Sequence, residues 1–289
     1  MANLKELRNR ITSVSSTMQI TSAMKMVSAA KLSKAQDAIT RMRPYAEKLT
    51  ELLQNLSASL DGEAQSPYTV VRPVSKVLIV PISSNRGLAG AFNTNIVKRS
   101  KLVSKQFDDA ATIDLLTIGK KADDVLKKDF NVIHNNNEVF DHLEYDNVKE
   151  IAEYLMKVYA EGQYDKIILV YNSFKNAATQ IIKEEQFLPL ETEVGETKVS
   201  PNATEYIYEP NKVDIIKELI PKSLKIQLFK AIRDSVASEH GARMTAMHKA
   251  TDNATELRDD LKLSYNKARQ ASITNEILEI VAGAEALSA

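Results

Sequence analysis

Glycine and proline are almost absent from both ends of this 289-residue chain. The last 68 residues, Lys222 to Ala289, hold no proline and only Gly241 and Gly283; the first 60 hold Pro44 and no glycine. Without those breakers, both ends are predicted to be helices far longer than the dozen residues of an average globular helix. A helix rises 1.5 Å per residue, so such segments reach roughly 85–100 Å. Something other than local burial must use that reach.

The N-terminal segment carries Leu4, Leu7, Ile11, Val14 and Met18 at alternating steps of three and four, the spacing of a coiled-coil seam. The seam then shifts to Ile20, Ala23, Met24, Val27 and Ala30, a break in register that changes supercoiling locally. Small residues follow at Ser28, Ala29, Ala30, Ser33, Ala35 and Ala38, where two helices can approach closely. Pro44 is predicted to kink or restart the helix near Met42–Arg43, and Asp61-Gly62 and Ser66-Pro67 to end it. At the other end, helix begins at Lys212 and is punctuated at Pro221. It then carries a discontinuous apolar stripe through Leu224, Leu228, Ile232, Val236, Met244, Met247, Leu257, Leu261, Ala268, Ile273, Ile277 and Ile280.

Between the helices the pattern changes. Lys76–Val80, Ala111–Ile118 and Lys166–Tyr171 are apolar, β-branched runs and predict strands. Asn131–Phe140 predicts a weaker strand and a polar loop, and Ala178–Phe187 and Glu205–Tyr208 alternate like edge strands. Helices are predicted over Phe92–Gln106, over Lys120–Lys128, and after Asn147 as cap, with Ile151, Leu155, Val158 and Tyr159 on one face. Alternating strands and helices give a partly parallel sheet. The fold class is therefore α/β with its helices segregated, α+β in that sense: a long antiparallel two-helix coiled coil from the N- and C-termini, plus a central Rossmann-like α/β domain. The N-terminal helix occupies residues 1–60, the α/β domain 70–210, and the C-terminal helix, pairing with 1–60, occupies 211–289. Because one helix enters the domain and the other leaves it, a pair formed between them must be antiparallel. The C-terminal helix is the longer, so its tip can extend past its partner.

Charge is segregated as well. Net charge is zero overall, but residues 1–52 carry +5, 222–270 carry +4 and 271–289 carry −3, leaving −6 for the middle. The basic helices suit acidic partner surfaces. No cysteine is present, which excludes disulfides, thiolate metal sites and cysteine nucleophiles. No stretch approaches ~18 uninterrupted apolar residues, and the start lacks the apolar core of a secretory signal, so any membrane role is expected to come through partners. Nucleic acid is not expected as a partner: there is no tryptophan and no aromatic-interleaved basic patch.

Chemistry-bearing motifs are sparse. Ser83–Gly90 lies between a strand and a helix, where phosphate loops sit, but it has only Gly87 and Gly90 and neither glycine pattern of a nucleotide loop. The histidines, His134, His142, His240 and His248, stand at no metal-ligand spacing, and the carboxylate pairs Asp259-Asp260 and Glu184-Glu185 are adjacent rather than opposed. No catalytic residue, cofactor site or metal site is therefore assigned. The far end is more telling. Ile273–Leu287 is apolar for a chain terminus and has no cation after Arg269. Such an end calls for a covering sleeve.

Three separated stretches resemble the gamma subunits of F-type ATP synthases, and the resemblance spans the chain. The first comprises Arg10-Ile11, Ser13, Thr17–Thr21 and Ala23–Leu32. The second, Ser84–Asn93, is similar to the family signature SDRGLCGGFN, with Asn85, Ala89 and Ala91 as departures. The third comprises Ser238–Met247, Ala250–Ala254 and Asn266–Glu276.

The resemblance implies a central rotor shaft passing through a ring of three alpha and three beta subunits. Its α/β domain would sit on the epsilon subunit and the membrane c-ring, and the chain itself would be non-catalytic. By position, Arg269 and Gln270 would meet beta-subunit loops near the sleeve, Met24 and Lys25 would lie on the opposing stretch, and Ile273, Ile277 and Leu287 would belong to the tip in the bearing. No transit peptide precedes the first motif, so the expected location is the cytoplasmic face of a bacterial inner membrane, peripheral to it. Two other readings use the same features. A static coiled-coil scaffold is disfavoured by the register break and apolar end. A nucleotide-binding α/β enzyme with a helical arm lacks a phosphate loop.

Overall fold

A computed structural model describes residues 4–58, 66–107, 111–190 and 211–288, with the side chains of 47, 50, 54–58, 212, 213, 216 and 285–288 left undescribed. The elements in order are α1 (Leu4–Ala58), β1 (Lys76–Pro81), α2 (Phe92–Ser104), β2 (Thr112–Thr117) and α3 (Lys120–Leu126). There follow β3 (Asn131–Asn135), a 3-10 turn (Glu138–Phe140), α4 (Tyr145–Ala160), β4 (Lys166–Phe174), β5 (Gln180–Leu188) and α5 (Lys212–Ser288). They form two compact units, one of residues Ala30–Ala242 and one of Met1–Ala29 with Arg243–Ala289. Helices α1 and α5 contribute to both.

In the larger unit the five strands stand in the order β3-β2-β1-β4-β5, the first four parallel and β5 antiparallel at the edge. This is the Rossmann-like arrangement expected. The central strands are buried on both faces, which is why they read as unbroken apolar runs. Val77, Ile79, Ile168 and Val170 pack against Ile96, Val97 and Val103 of α2 and Ala122 and Leu126 of α3. Leu78, Val80, Leu169 and Tyr171 pack against Val148, Leu155 and Tyr159 of α4 and Leu224, Leu228 and Ile232 of α5. So α5 is part of this core for three turns. Each such side chain, fully buried, contributes about 1.5–3 kcal/mol. Part of α1 joins the same unit, with Ala46 and Leu49 closing on Ile226.

Two details hold the sheet ends. Asp165, at the entrance to β4, accepts hydrogen bonds through Oδ2 from the Ser75 amide (2.9 Å), the Ser75 hydroxyl (2.8 Å) and the Lys76 amide (2.9 Å), tying β4 to β1. Burial alone would raise its pKa, but these bonds outweigh it and hold the carboxyl below its ordinary value. Helix α4 ends in a Schellman motif: Gly162 (φ +73°) donates to the Tyr159 carbonyl and Gln163 to that of Val158, both at 3.0 Å.

Three expectations change. Asn147 is not the cap of α4. Glu144 occupies that position, and the Asn147 amide, one turn inside, donates 2.7 Å to the His142 carbonyl. Pro44 does not restart α1, and Pro221 does not interrupt α5; each lies within one helix. A proline forfeits a backbone bond, but packing on both sides keeps the helix going. Ile39 and Ala46 are buried around Pro44, and Ile220 and Leu224 around Pro221. The predicted turn at Asp61-Gly62 and strand at Glu205–Tyr208 lie outside the described residues; the turn at Ser66-Pro67 is present, with the Thr69 amide donating to the Ser66 carbonyl.

Candidate partner interface

The Ser83–Gly90 loop is the obvious place to look for phosphate chemistry, and its hydrogen bonds are already used. It caps α3 with three consecutive residues. Lys120 N–H donates to Asn85 Oδ1 (3.1 Å), Lys121 N–H to the Ser84 carbonyl (3.0 Å) and Ala122 N–H to Ser83 Oγ (3.0 Å). These are the amides a phosphate would need there. The Ser84 backbone amide and hydroxyl both engage Asn93 Oδ1 at 3.0 Å, and the Asn85 amide donates 2.8 Å to the Asn137 carbonyl. The last bond needs a donor, which the Asn85 side-chain amide supplies. Gly119 lets the loop and α3 close on each other: a Cβ there would lie 2.3 Å from the Ser83 carbonyl oxygen. The loop is thus a structural clasp across β1, α3 and the β3 exit.

Among the described residues no cluster of three or more histidines or carboxylates could hold a metal ion. His134 and His142 border a polar groove of 450 Å³ with Glu138, Asn147 and Glu150. His248 lies at the surface, its Nδ1 3.4 Å from Lys25 Nζ and 3.3 Å from an Asp252 carboxylate oxygen.

In the smaller unit α1 and α5 pair, and chain direction makes the pair antiparallel. Arg8 donates to the Tyr265 hydroxyl (3.1 Å), Arg258 approaches Met18 Sδ (3.4 Å), Thr251 Oγ1 donates to Thr21 Oγ1 (2.9 Å), and Lys25 meets His248. As the α1 partner advances from Arg8 to Lys25, the α5 partner retreats by the same 17 residues, from Tyr265 to His248. That is antiparallel pairing in constant register. It sets Leu4, the first described residue of α1, opposite Arg269. The described part of α5 beyond that point rises about 28 Å.

Here lie the residues singled out from sequence. Met24 and Lys25 are half-buried at the helix pair. Arg269 and Gln270 are exposed, and among the described residues no ion pair or hydrogen bond reaches the Arg269 guanidinium. Every residue from Ile273 to Ala284 is exposed. Ile273 is 48% exposed, Ile277 54%, Leu278 60% and Ile280 71%, and Val281 extends the patch. An uncovered apolar run of this kind makes the tip a candidate contact surface. Leu287 falls within α5, but its side chain is not among those described. Sequence reading missed Arg43, Ser173 and Asp234, which meet where α1 and α5 cross the end of β4. One signal was available: Ala231, Asp234, Ser238 and Gly241 recur at steps of three and four, a small and polar line beside the apolar stripe.

The sequence model of the family described as ATP synthase matches residues 3–287. The chain is 68% identical over 288 residues to the ATP synthase gamma chain of Christiangramia forsetii, covering 100% of both. It is 67% identical to that of Flavobacterium johnsoniae, again over 100% of both, and 44% identical to that of Geobacter sp. over 99% of both. Among solved structures it is similar to a chain of the Euglena gracilis mitochondrial ATP synthase, in an OSCP/F1/c-ring structure in rotational state 3. The TM-score is 0.71 at 24% identity, over 98% of this chain and 94% of that one. It is also similar to a chain of the rotor of the same organism's enzyme in rotational state 1, with a TM-score of 0.65 at 22% identity over 93% and 98%. At such identities the likeness is one of fold.

Proposed function

The chain belongs to the family of ATP synthase gamma chains, and on that premise we propose that it is the central rotor coupling ion flow in the membrane sector to ATP synthesis and hydrolysis. The observation that carries the mechanism is the bare apolar tip of α5, exposed from Ile273 to Ala284. In water this surface is a liability; inside a close-fitting apolar sleeve it is a bearing, because apolar contact has no preferred direction and permits rotation. Three alpha and three beta subunits would form the sleeve around Ile273, Ile277 and Leu287.

Arg269 and Gln270 stand at the base of that tip with their side chains free to engage a partner. A guanidinium makes charge-assisted, directional bonds with carboxylates, so its contacts change with angle. On beta-subunit loops, Arg269 and Gln270 would favour a different conformation at each angle, and Met24 and Lys25 would do the same from the α1 side. A rotating ligand shifts each site only as far as it contacts its states unequally. The nucleotide chemistry belongs to the ring; this chain is a non-catalytic subunit.

The α/β unit would rest on the epsilon subunit and the c-ring. Among the described residues no helix is long and apolar enough to cross a membrane; attachment would run through those partners. The family implies a membrane-associated complex, and we place it at the cytoplasmic face of a bacterial inner membrane.

The test is recovery of the chain from native membranes with an affinity tag inserted between Glu193 and Pro201, leaving both termini free. Three alpha and three beta subunits per tagged chain, with magnesium-dependent ATPase activity, are expected. A lone monomer recovered from membranes containing working ATP synthase refutes the assignment.

A further inference from the structure

Within the larger unit, α5 is bonded to the sheet by a line of polar contacts quite unlike the apolar packing one and two turns earlier. Ser173 Oγ, on β4, donates 3.1 Å to Asp234 Oδ2. Ser235 Oγ donates to the Ile82 carbonyl (3.5 Å) and Ser238 Oγ to the Asn172 carbonyl (3.0 Å). At Gly241 the helix comes so close to the β4–β5 turn that a Cβ would lie 3.1 Å from the Ala177 carbonyl oxygen. Helix α1 joins through Arg43, whose Nη2 donates to the Phe174 carbonyl (3.2 Å) and stands 3.8 Å from Asp234 Oδ1. One guanidinium thus braces α1, the end of β4 and α5 together.

Asp234 is an expensive residue to put there. It is 2% exposed, its Oδ1 accepts no hydrogen bond among the described residues, and burial raises its carboxyl pKa despite Ser173 and Arg43. Stability alone favours a neutral or apolar side chain at such a place, since a carboxylate taken out of water is repaid only weakly by a guanidinium that stays half exposed 3.8 Å away. What a buried, directional cluster supplies is unique placement. Apolar helix faces can slide by a rotamer change; hydrogen bonds with fixed geometry cannot.

Resting on the rotor reading above, we propose that Arg43, Ser173, Asp234 and Ser238 form a torque joint that stops α1 and α5 from turning against the sheet. Load applied to the α/β unit then reaches both helices without slip. These are positioning residues: their contacts run between α1, the end of β4 and α5.

The experiment uses the assembled complex with alpha and beta subunits, immobilised through the ring. The chain has no cysteine, so Lys157→Cys, at a side chain 71% exposed on α4, gives a single attachment point for a bead. Angular fluctuation of the stalled bead is compared among the parent, Asp234→Asn, Ser238→Ala and Arg43→Met. Asp234→Asn keeps an acceptor for Ser173 and loses the charge. Ser238→Ala and Arg43→Met each remove a hydrogen bond and are expected to raise the off-centre angular population about five-fold, the ratio equivalent to 1 kcal/mol, and Asp234→Asn, which loses only the ion pair, is expected to raise it less. Thermal stability of Asp234→Asn is expected to hold or rise, which separates a mechanical role from a merely structural one. An unchanged angular width in variants that assemble overturns the proposal, as does lower stability with unchanged width. If the parent complex turns no bead under ATP, the rotor reading itself fails and the joint falls with it.

Discussion

Gly119→Ala is the sharpest test of the clasp that joins β1 to α3. The native backbone sits at φ +101° and ψ +147°, a region open essentially to glycine, and holding an alanine there costs on the order of 1–3 kcal/mol. The new Cβ would also lie 2.3 Å from the Ser83 carbonyl oxygen and 2.8 Å from its carbon. Those atoms are backbone, so no side-chain rotation relieves the clash. Moving Ser83 breaks its amide bond to the Ile118 carbonyl (2.8 Å) and the cap it gives Ala122. Each is worth about 1 kcal/mol net, and more if the buried partner is left unpaired. The sum is about 4 kcal/mol, a large part of the 5–15 kcal/mol that holds an ordinary domain. Gly162→Ala is the control: φ is again positive at +73°, but the nearest atom is Arg72 Nη1 at 3.5 Å, an ordinary contact at the end of a flexible side chain. Chemical denaturation followed by circular dichroism should show Gly119→Ala the less stable of the two by about 2–3 kcal/mol. Equal losses in the two variants would refute the clash argument.

Gly241 and Gly283 both lie inside α5, and alanine gains about 1 kcal/mol of helix propensity at either. Gly283→Ala meets nothing within 4 Å and should slow amide exchange across the tip, whereas Gly241→Ala pushes on Ala177, in a turn pinned by Asn176, and should lower the denaturation midpoint. Asp165→Asn should lose stability at neutral pH and flatten the acid limb of the stability curve. The native carboxyl, held below its ordinary 3.8, contributes above that value and loses its contribution as pH falls through its lowered pKa, so denaturant midpoints across the acid range decide it. Arg269→Ala should change stability by less than about 0.5 kcal/mol, because the side chain is exposed, yet lower the protons pumped per ATP hydrolysed in reconstituted vesicles; unchanged pumping and synthesis refute its contact role.

Much of this fold is legible in single runs of residues. Lys76–Val80 and Lys166–Tyr171 read as strands because both faces are covered, so no polar alternation interrupts them; the structure carries the strands on to Pro81 and Phe174. Gln180–Leu188 alternates because it forms the sheet's antiparallel edge. The antiparallel helix pair follows from chain direction alone. What fails is local punctuation where tertiary packing overrules it. Pro44 and Pro221 look like breaks, but buried neighbours on either side keep each helix whole. Asn147 looks like a cap, but its amide is spent on the His142 carbonyl. Asp234 looks like one more charge on a helix, since nothing in the sequence tells that Ser173, sixty-one residues earlier, donates to it.

The two ends of α5's chemistry answer opposite mechanical demands. From Asp234 to Gly241 the helix meets the sheet through hydroxyl-to-carbonyl bonds, a braced carboxylate and a contact too close for a Cβ. Displacement there breaks bonds of fixed geometry, so the energy rises at once with angle. From Ile273 to Ala284 the same helix offers side chains with almost no directional groups, so contact energy inside a round sleeve changes little with angle. Arg269 and Gln270 lie between the two, exposed and polar, where in the proposed rotor angle-dependent contact would be useful rather than costly. A static scaffold has no need for that division, and would be better served by a polar end and a uniform seam. A shaft that must grip at one end, slide at the other and be sensed in between needs all three chemistries, in this order along the helix.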